Sequence, residues 1–218
     1  HRAADPDKDQ SYVLGVLNQD QLRRSLFPLA DTPKPQVRAE AHLLGLRVAD
    51  KPDSYDICFI PDGDTQGYLR AHLGETPGPI VDRSGTELGR HRGHHGFTIG
   101  QRKGLDLRVP APDGNPRYVL RIEPASNRVV VGPGESLLVT NLAGIRPTWT
   151  QHRVPGSWRG QVQYRAHGAA LSATITTTGD DQVRVELDEP TRGVAPGQSM
   201  VFFDATRVVG SATISGTS

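Results

Sequence analysis

The chain has 218 residues, enough for one large domain or for two to three small ones that each bury a core. With 25 Lys and Arg against 24 Asp and Glu the net charge is +1, so a general nucleic-acid affinity cannot be read from the total, and any RNA contact must come from local patches. The single cysteine excludes an internal disulfide framework, no apolar run approaches the ~18 residues of a membrane span, and the start shows no charged-then-apolar leader; a cytoplasmic protein is expected.

Gly 24 and Pro 17 make up about 19% of the residues, against an average of roughly 12%, which suits many short strands joined by turns. After a polar entry and the apolar run Ser11–Leu17, Asn18 is placed to cap a helix through Asp20, Leu22, Arg23 and Leu26, closed by Pro28. A second helix is expected from near Pro35 through Val37, Ala41 and Leu44, with Gly45 at its left-handed stop. Ile57-Cys58-Phe59-Ile60 reads as a short buried strand, and Gly67–Leu73 as a helix ended by Gly74.

From Pro79 the pattern turns to strands. Ile80–Arg83 and Thr86–Gly89 flank a hairpin turn at Ser84-Gly85, and Tyr118–Ile122 pairs with Arg128–Val131 around Ser126-Asn127. Beyond Leu142, strands are expected at Gly160–Arg165, Leu171–Thr177, Gln182–Leu187, Ser199–Phe203 and Arg207–Ile214. Five strands at that spacing predict a small closed barrel, since closure removes exposed edges. The turn Pro196-Gly197-Gln198 enters the fourth of them; an ordinary β turn and a barrel turn like those of translation factors are both open readings.

Few residues declare chemistry by themselves. Cys58 is either an inert packing residue or a reactive thiol, and the polar stretch from Lys51 to Asp56 favours access to it. His91, His94 and His95 cluster, but adjacent His94 and His95 would face opposite sides of a strand and nothing completes a ligand set, so no metal site is expected. Arg90–His95 and Gln101-Arg102-Lys103 are basic; the first reads as solvated surface or an RNA patch, the second as a phosphate-binding loop or a brace between domains. No Gly-x-Gly-x-x-Gly turn, Walker loop or Gly-x-Ser-x-Gly elbow is present.

Three segments in this order resemble one family: Lys8-Asp9-Gln10-Ser11-Tyr12, Asp56-Ile57-Cys58-Phe59-Ile60 and Thr98-Ile99-Gly100-Gln101-Arg102-Lys103-Gly104-Leu105, followed by Pro196-Gly197-Gln198. Together they are similar to the tRNA-specific 2-thiouridylases, which place sulfur on the wobble uridine. The resemblance spans essentially the whole chain. It implies an α+β, mostly β fold: residues 1–66 as the tail of an α/β ATP-pyrophosphatase domain, 67–138 as a small central β-rich domain and 139–218 as a carboxy-terminal closed β-barrel.

The resemblance also implies roles. Cys58 matches the persulfide-carrying cysteine, Lys8, Asp9 and Gln10 the tRNA-contacting triplet, and Gln163, Tyr164 and Gln198 the barrel's tRNA contacts. The family often has Arg where this chain has Gln163, so that contact depends on whether Arg165 faces the RNA. ATP would bind through an amino-terminal domain: its Ser-Gly-Gly-x-Asp-Ser loop and second catalytic cysteine have no counterpart here, and a chain that starts at His1 rather than Met is expected to be a part of a longer protein, inactive alone. The expected partners are tRNA and a sulfur-donor protein, a cysteine desulfurase or sulfur relay, with no membrane. The competing expectation is a non-catalytic RNA-binding barrel module in which Cys58 only packs; a methyl-donor site has no counterpart in these residues.

Overall fold

The computed structural model describes residues 1–53, 60, 64–107, 109, 111, 113–151, 156–179 and 181–218, with Gln66 described by its backbone. Cys58, and with it most of the strand expected at Ile57–Ile60, lies outside the described residues. The chain divides into two compact units, one of residues 1–52, 139–190 and 195–218, the other of residues 53–138 and 191–194.

The first unit opens with a 3-10 turn at Pro6–Lys8 and three helices, α1 (Ser11–Leu14), α2 (Gln19–Leu22) and α3 (Lys34–Leu43). Asp5 organises this stretch, because its carboxylate accepts from the Asp7 N–H at 3.1 Å and from the Lys34 N–H at 2.8 Å, so one side chain caps both the turn and α3. Helix α3 ends as its sequence predicts. Gly45 sits at φ +66, its N–H donates to the His42 carbonyl, and the Leu46 N–H donates to the Ala41 carbonyl, closing a Schellman motif.

Helix α2 stops at Leu22, short of the expected Leu26. Asn18 and Gln21 form a reciprocal capping box at its start, but the Ser25 hydroxyl takes the Gln21 carbonyl at 2.8 Å, and a side chain bonded to that carbonyl draws the backbone into a turn.

The rest of this unit is a closed barrel of six strands: β5 (Leu138–Trp149), β6 (Ser157–Gln163), β7 (Leu171–Thr177), β8 (Gln182–Arg192), β9 (Ser199–Asp204) and β10 (Arg207–Thr217), in the order β10-β5-β8-β7-β6-β9. Five were expected, and β5 is the missed one. Its alternation is broken by Asn141, Gly144 and Pro147, and its pairing with β10 shifts register twice, between Ser211 and Thr213 and between Ile214 and Gly216. Strand β8 shows the regular case, with Val183, Val185 and Leu187 buried and Arg184, Glu186 and Asp188 facing out.

Strand β9 breaks that rule informatively. Met200, Val201, Phe202 and Phe203 are all buried, which a barrel wall permits only where something covers its outer face. The cover is the amino-terminal segment: a Cβ on Gly15, which caps the end of α1, would meet Val201 at 2.7 Å, and the Arg2 guanidinium lies 3.8 Å from the Phe203 ring centre. Burying each of these two side chains contributes roughly 1.5–3 kcal/mol.

The second unit holds α4 (Thr65–Leu73) and a four-stranded sheet of β1 (Gly78–Val81), β2 (Glu87–His91), β3 (Tyr118–Glu123) and β4 (Arg128–Gly132), ordered β2-β1-β4-β3. Its core is Ile80, Leu88, Leu105, Val119, Val129 and Val131, with Phe97, Leu107 and Ile122 packed against them. The turn between β1 and β2 is wider than the two residues expected. The Asp82 carboxylate accepts from the N–H groups of Ser84 and Thr86, which makes a five-residue loop over Asp82–Thr86 with Gly85 at φ +92. His94 and His95 lie in a 3-10 turn at His94–Gly96, not on a strand.

Candidate nucleic-acid interface

Lys8, Asp9 and Gln10 sit where the Pro6–Lys8 turn passes into α1. Their side chains have different fates. Gln10 is exposed and its amide has no partner among the described residues, whereas Asp9 is turned inward and accepts four hydrogen bonds. The donors are the Ala3 N–H at 3.1 Å, the Ser11 N–H at 3.0 Å, the Ser11 hydroxyl at 2.8 Å and the Arg2 guanidinium at 3.1 Å. Burial by itself pushes the Asp9 carboxyl up, but these donors outweigh it and hold its pKa below the ordinary carboxylate range. Asp9 is therefore an anionic brace that folds the segment around itself, leaving Gln10 outward.

Gln163, at the end of β6, is only 5% exposed. Its Nε2 donates to the carbonyls of Arg165 at 2.9 Å and Ala166 at 3.2 Å, and its Oε1 accepts from the same Arg2 nitrogen at 3.3 Å. Both ends of the amide are thus engaged within the protein. Tyr164 is buried as well, just beyond the strand, with the exposed Arg165 guanidinium 5.4 Å from its ring centre.

Gln198 belongs to the turn before β9, where Gly197 takes φ +89. The Gly197 N–H donates to the Ile214 carbonyl and the Ile214 N–H donates to the Gln198 carbonyl, both at 2.8 Å. Its side-chain oxygen accepts from the Ala195 N–H at 3.1 Å, while its Nε2 has no partner among the described residues.

These sites, far apart in sequence, converge on β9. The Tyr12 hydroxyl donates to the Ser199 carbonyl at 3.0 Å, joining α1 to the residue after Gln198; Gln163 pairs with Val201; and Arg2 reaches Asp9, Gln163 and Phe203 together. Beside them opens a cavity of about 700 Å³ lined by Lys8, Asp9, Gln10, Leu14, Phe27 and Arg207, with basic residues and apolar side chains both represented. Arg2 is the member that sequence reasoning missed. Its contacts to Gln163 and Phe203 lie 161 and 201 positions away, beyond any local signal.

In the second unit, Gln101 closes its own loop, accepting from the Thr98 N–H and donating to the Lys103 carbonyl, while Arg102 and Lys103 are exposed. The His91 Nε2 donates to the Asn127 carbonyl at 3.2 Å and His94 Nδ1 pairs with the Asn127 side-chain oxygen at 3.0 Å. Among the described residues no three His, Cys, Asp or Glu side chains gather as a metal site, and no helix is long and apolar enough to cross a membrane.

Models of three protein domains match the chain in succession: a tRNA methyl transferase HUP domain over residues 1–62, a tRNA methyl transferase PRC-barrel domain over 66–133 and an aminomethyltransferase beta-barrel domain over 139–214. Among curated relatives, the tRNA-specific 2-thiouridylase of Acidothermus cellulolyticus is 59% identical over 217 residues, covering 100% of this chain and 60% of the relative. That of Cutibacterium acnes is 58% identical over 217 residues, covering 100% of this chain and 59% of the relative, and that of Beutenbergia cavernae 56% over 223 residues, covering 100% and 58%. The chain spans about 60% of the length of the relatives it matches. With all three domains matched in order and these identities along its whole length, the chain belongs to the tRNA-specific 2-thiouridylase family.

Proposed function

We propose that this chain works within a tRNA 2-thiouridylase, which transfers persulfide sulfur to C2 of the wobble uridine in tRNA. In this reading Cys58 carries the sulfur, and residues 1–66, 67–138 and 139–218 are the tail of the catalytic domain, the central domain and the tRNA-gripping barrel. The observation that carries the RNA part is the meeting of the Lys8–Gln10 segment, the end of β6 and the Gln198 turn on β9. One stretch of RNA can touch all three.

The contacts divide by chemistry. Lys8 neutralises phosphate, and Gln10 and Gln198 offer amides that donate and accept toward phosphate or base edges. Asp9 and Gln163, engaged internally, hold that surface in shape; Arg165 supplies the charge that Gln163 lacks, and Tyr164 supports it from beneath.

A uridine C2 carbonyl is a poor electrophile, and its oxygen must be activated before sulfur can replace it. None of the 218 residues forms a Ser-Gly-Gly-x-Asp-Ser loop, so this chain does not fit an ATP site, and activation by ATP is assigned to the remainder of the enzyme. The task of Cys58 is to receive sulfur from a donor protein, a cysteine desulfurase or sulfur relay, and to present it as a persulfide; a second cysteine, assigned like ATP to the remainder of the enzyme, releases that sulfur by forming a disulfide with Cys58 as the activated C2 oxygen leaves. That chemistry needs a thiol that deprotonates and is reachable.

The experiment is binding of a transcribed tRNA by the full-length protein carrying Gln10→Ala and Gln198→Ala. Each variant is expected to weaken binding several-fold, by about 1 kcal/mol per lost hydrogen bond. Wild-type affinity in both removes the RNA surface from this end of the barrel.

A further inference from the structure

We propose that Arg2 is a positioning residue: it locks the Lys8–Gln10 segment to the barrel loop that carries Arg165, so that both meet RNA in one register. This rests on the reading of that end of the barrel as the tRNA surface, which it deepens.

The lock is a chain of oriented groups. The carbonyls of Arg165 and Ala166 fix the Gln163 amide by taking its two N–H donors, which aims its oxygen at Arg2. The Arg2 guanidinium passes the constraint on: one nitrogen donates to Gln163 Oε1 at 3.3 Å and to Asp9 Oδ2 at 3.1 Å, while the plane packs on Phe203 at 3.8 Å. Asp9 completes it by holding the backbone N–H groups of Ala3 and Ser11, which bracket Lys8 and Gln10. The backbone adds a tie of its own, since the Arg2 N–H donates to the Thr206 carbonyl at 2.7 Å.

The chemistry suits arginine and no other side chain. A planar fork can stack on a ring with its face and serve two acceptors with its edge, which an ammonium cannot do. Position also separates Arg2 from a phosphate ligand. Its side chain is 27% exposed and its charge is matched by Asp9, itself 10% exposed, so the pair brings no net charge to the surface. Lys8 and Arg165 are the cations that meet phosphate; Arg2 sets the distance between them.

The test compares full-length wild type, Arg2→Met, Asp9→Asn and Lys8→Ala. Met keeps the apolar cover on Phe203 and removes the donors and the charge. Transcribed tRNA is titrated at several salt concentrations, and amide hydrogen exchange is followed without RNA. Arg2→Met and Asp9→Asn should each weaken tRNA binding about fivefold although they shift the charge at the site in opposite directions, whereas Lys8→Ala lowers the slope of log affinity against log salt by about 0.7–0.9. In both positioning variants, exchange over residues 3–15 speeds up while β7 and β8 keep wild-type protection, which also reports that the barrel is folded. A drop in slope for Arg2→Met as large as that for Lys8→Ala makes Arg2 a phosphate contact and overturns the proposal, as does unchanged exchange over residues 3–15. If wild type fails to bind tRNA the functional reading falls, and the exchange measurement alone decides the role of Arg2.

Discussion

The hydroxyl of Tyr12 donates to the backbone carbonyl of Ser199 at 3.0 Å across 187 positions of sequence. Burial raises the Tyr12 pKa, so the phenol stays protonated at neutral pH and remains a donor. Through this bond the segment holding Lys8 and Gln10 is tied to the residue that follows Gln198. Tyr12→Phe keeps the ring and deletes the donor. Denaturant unfolding should show a loss of about 1 kcal/mol, within the range for one part-buried hydrogen bond that leaves its acceptor unpaired. A larger loss of tRNA affinity than of stability is expected with it.

Gly15 tests the seat of α1 on β9. An added Cβ would sit 2.7 and 2.8 Å from the two γ-carbons of Val201, a stiff β-branched side chain with no room to turn. Gly15→Ala should destabilise by roughly 1–3 kcal/mol, the usual cost of overpacking, and Val201→Ala added to it should restore part of the loss. A fully additive double variant would mean that the two positions do not meet.

Gly78, at the start of β1, faces the Asn127 backbone first and the Asn127 and His91 side chains next. A Cβ there would run into the carbonyl oxygen of Asn127, which cannot swing away as a side-chain tip can. Gly78→Ala should therefore cost more stability than Gly85→Ala in the open loop, where nothing lies near but φ +92 imposes its own strain. Thermal melts of the two variants decide the order.

His91 gives the second unit a pH dependence. It is 5% exposed; its Nε2 must carry the proton it gives to the Asn127 carbonyl, and Nδ1 has no partner among the described residues. Burial lowers its pKa, the Asn127 bond opposes this, and the neighbouring His94, Arg90 and His95 push it further down. The folded state then binds a proton less readily than the unfolded chain, whose histidine titrates near about 6.5. The neutral ring's contribution is intact above that pH and is lost as pH falls from there through the lowered folded value. His91→Gln, which can still donate to Asn127, should show a smaller fall in melting temperature between about pH 7 and pH 5 than wild type. Asp82 and Glu123, whose pKa values are also lowered, lose their contributions at lower pH and affect both proteins alike.

The parts of the fold that the sequence announced are those with local causes. Gly45 stops α3 in the left-handed position expected of it, Gly74 ends α4 as expected, and Asn127 turns β3 into β4 at φ +51. Strand β5 stayed hidden because Gly144 and Pro147 break its alternation; a Cβ at Gly144 would meet the end of the Met200 side chain and Ala212, neighbours 56 and 68 positions downstream. The candidate site divides the same way. Lys8, Asp9, Gln10 and Gln198 stand in recognisable strings, whereas the inward turn of Asp9 and the part of Arg2 appear only when residue 2 is brought to residues 163 and 203.

In the proposed function, sulfur carried by Cys58 reaches tRNA. The most direct measurement is the 2-thiouridine content of tRNA after reaction with the full-length protein, its sulfur donor and ATP, in wild type and Cys58→Ser, read by nucleoside mass spectrometry. The expected result is loss of the thiolated nucleoside in Cys58→Ser with tRNA affinity retained. Wild-type thiolation by the serine variant would contradict it.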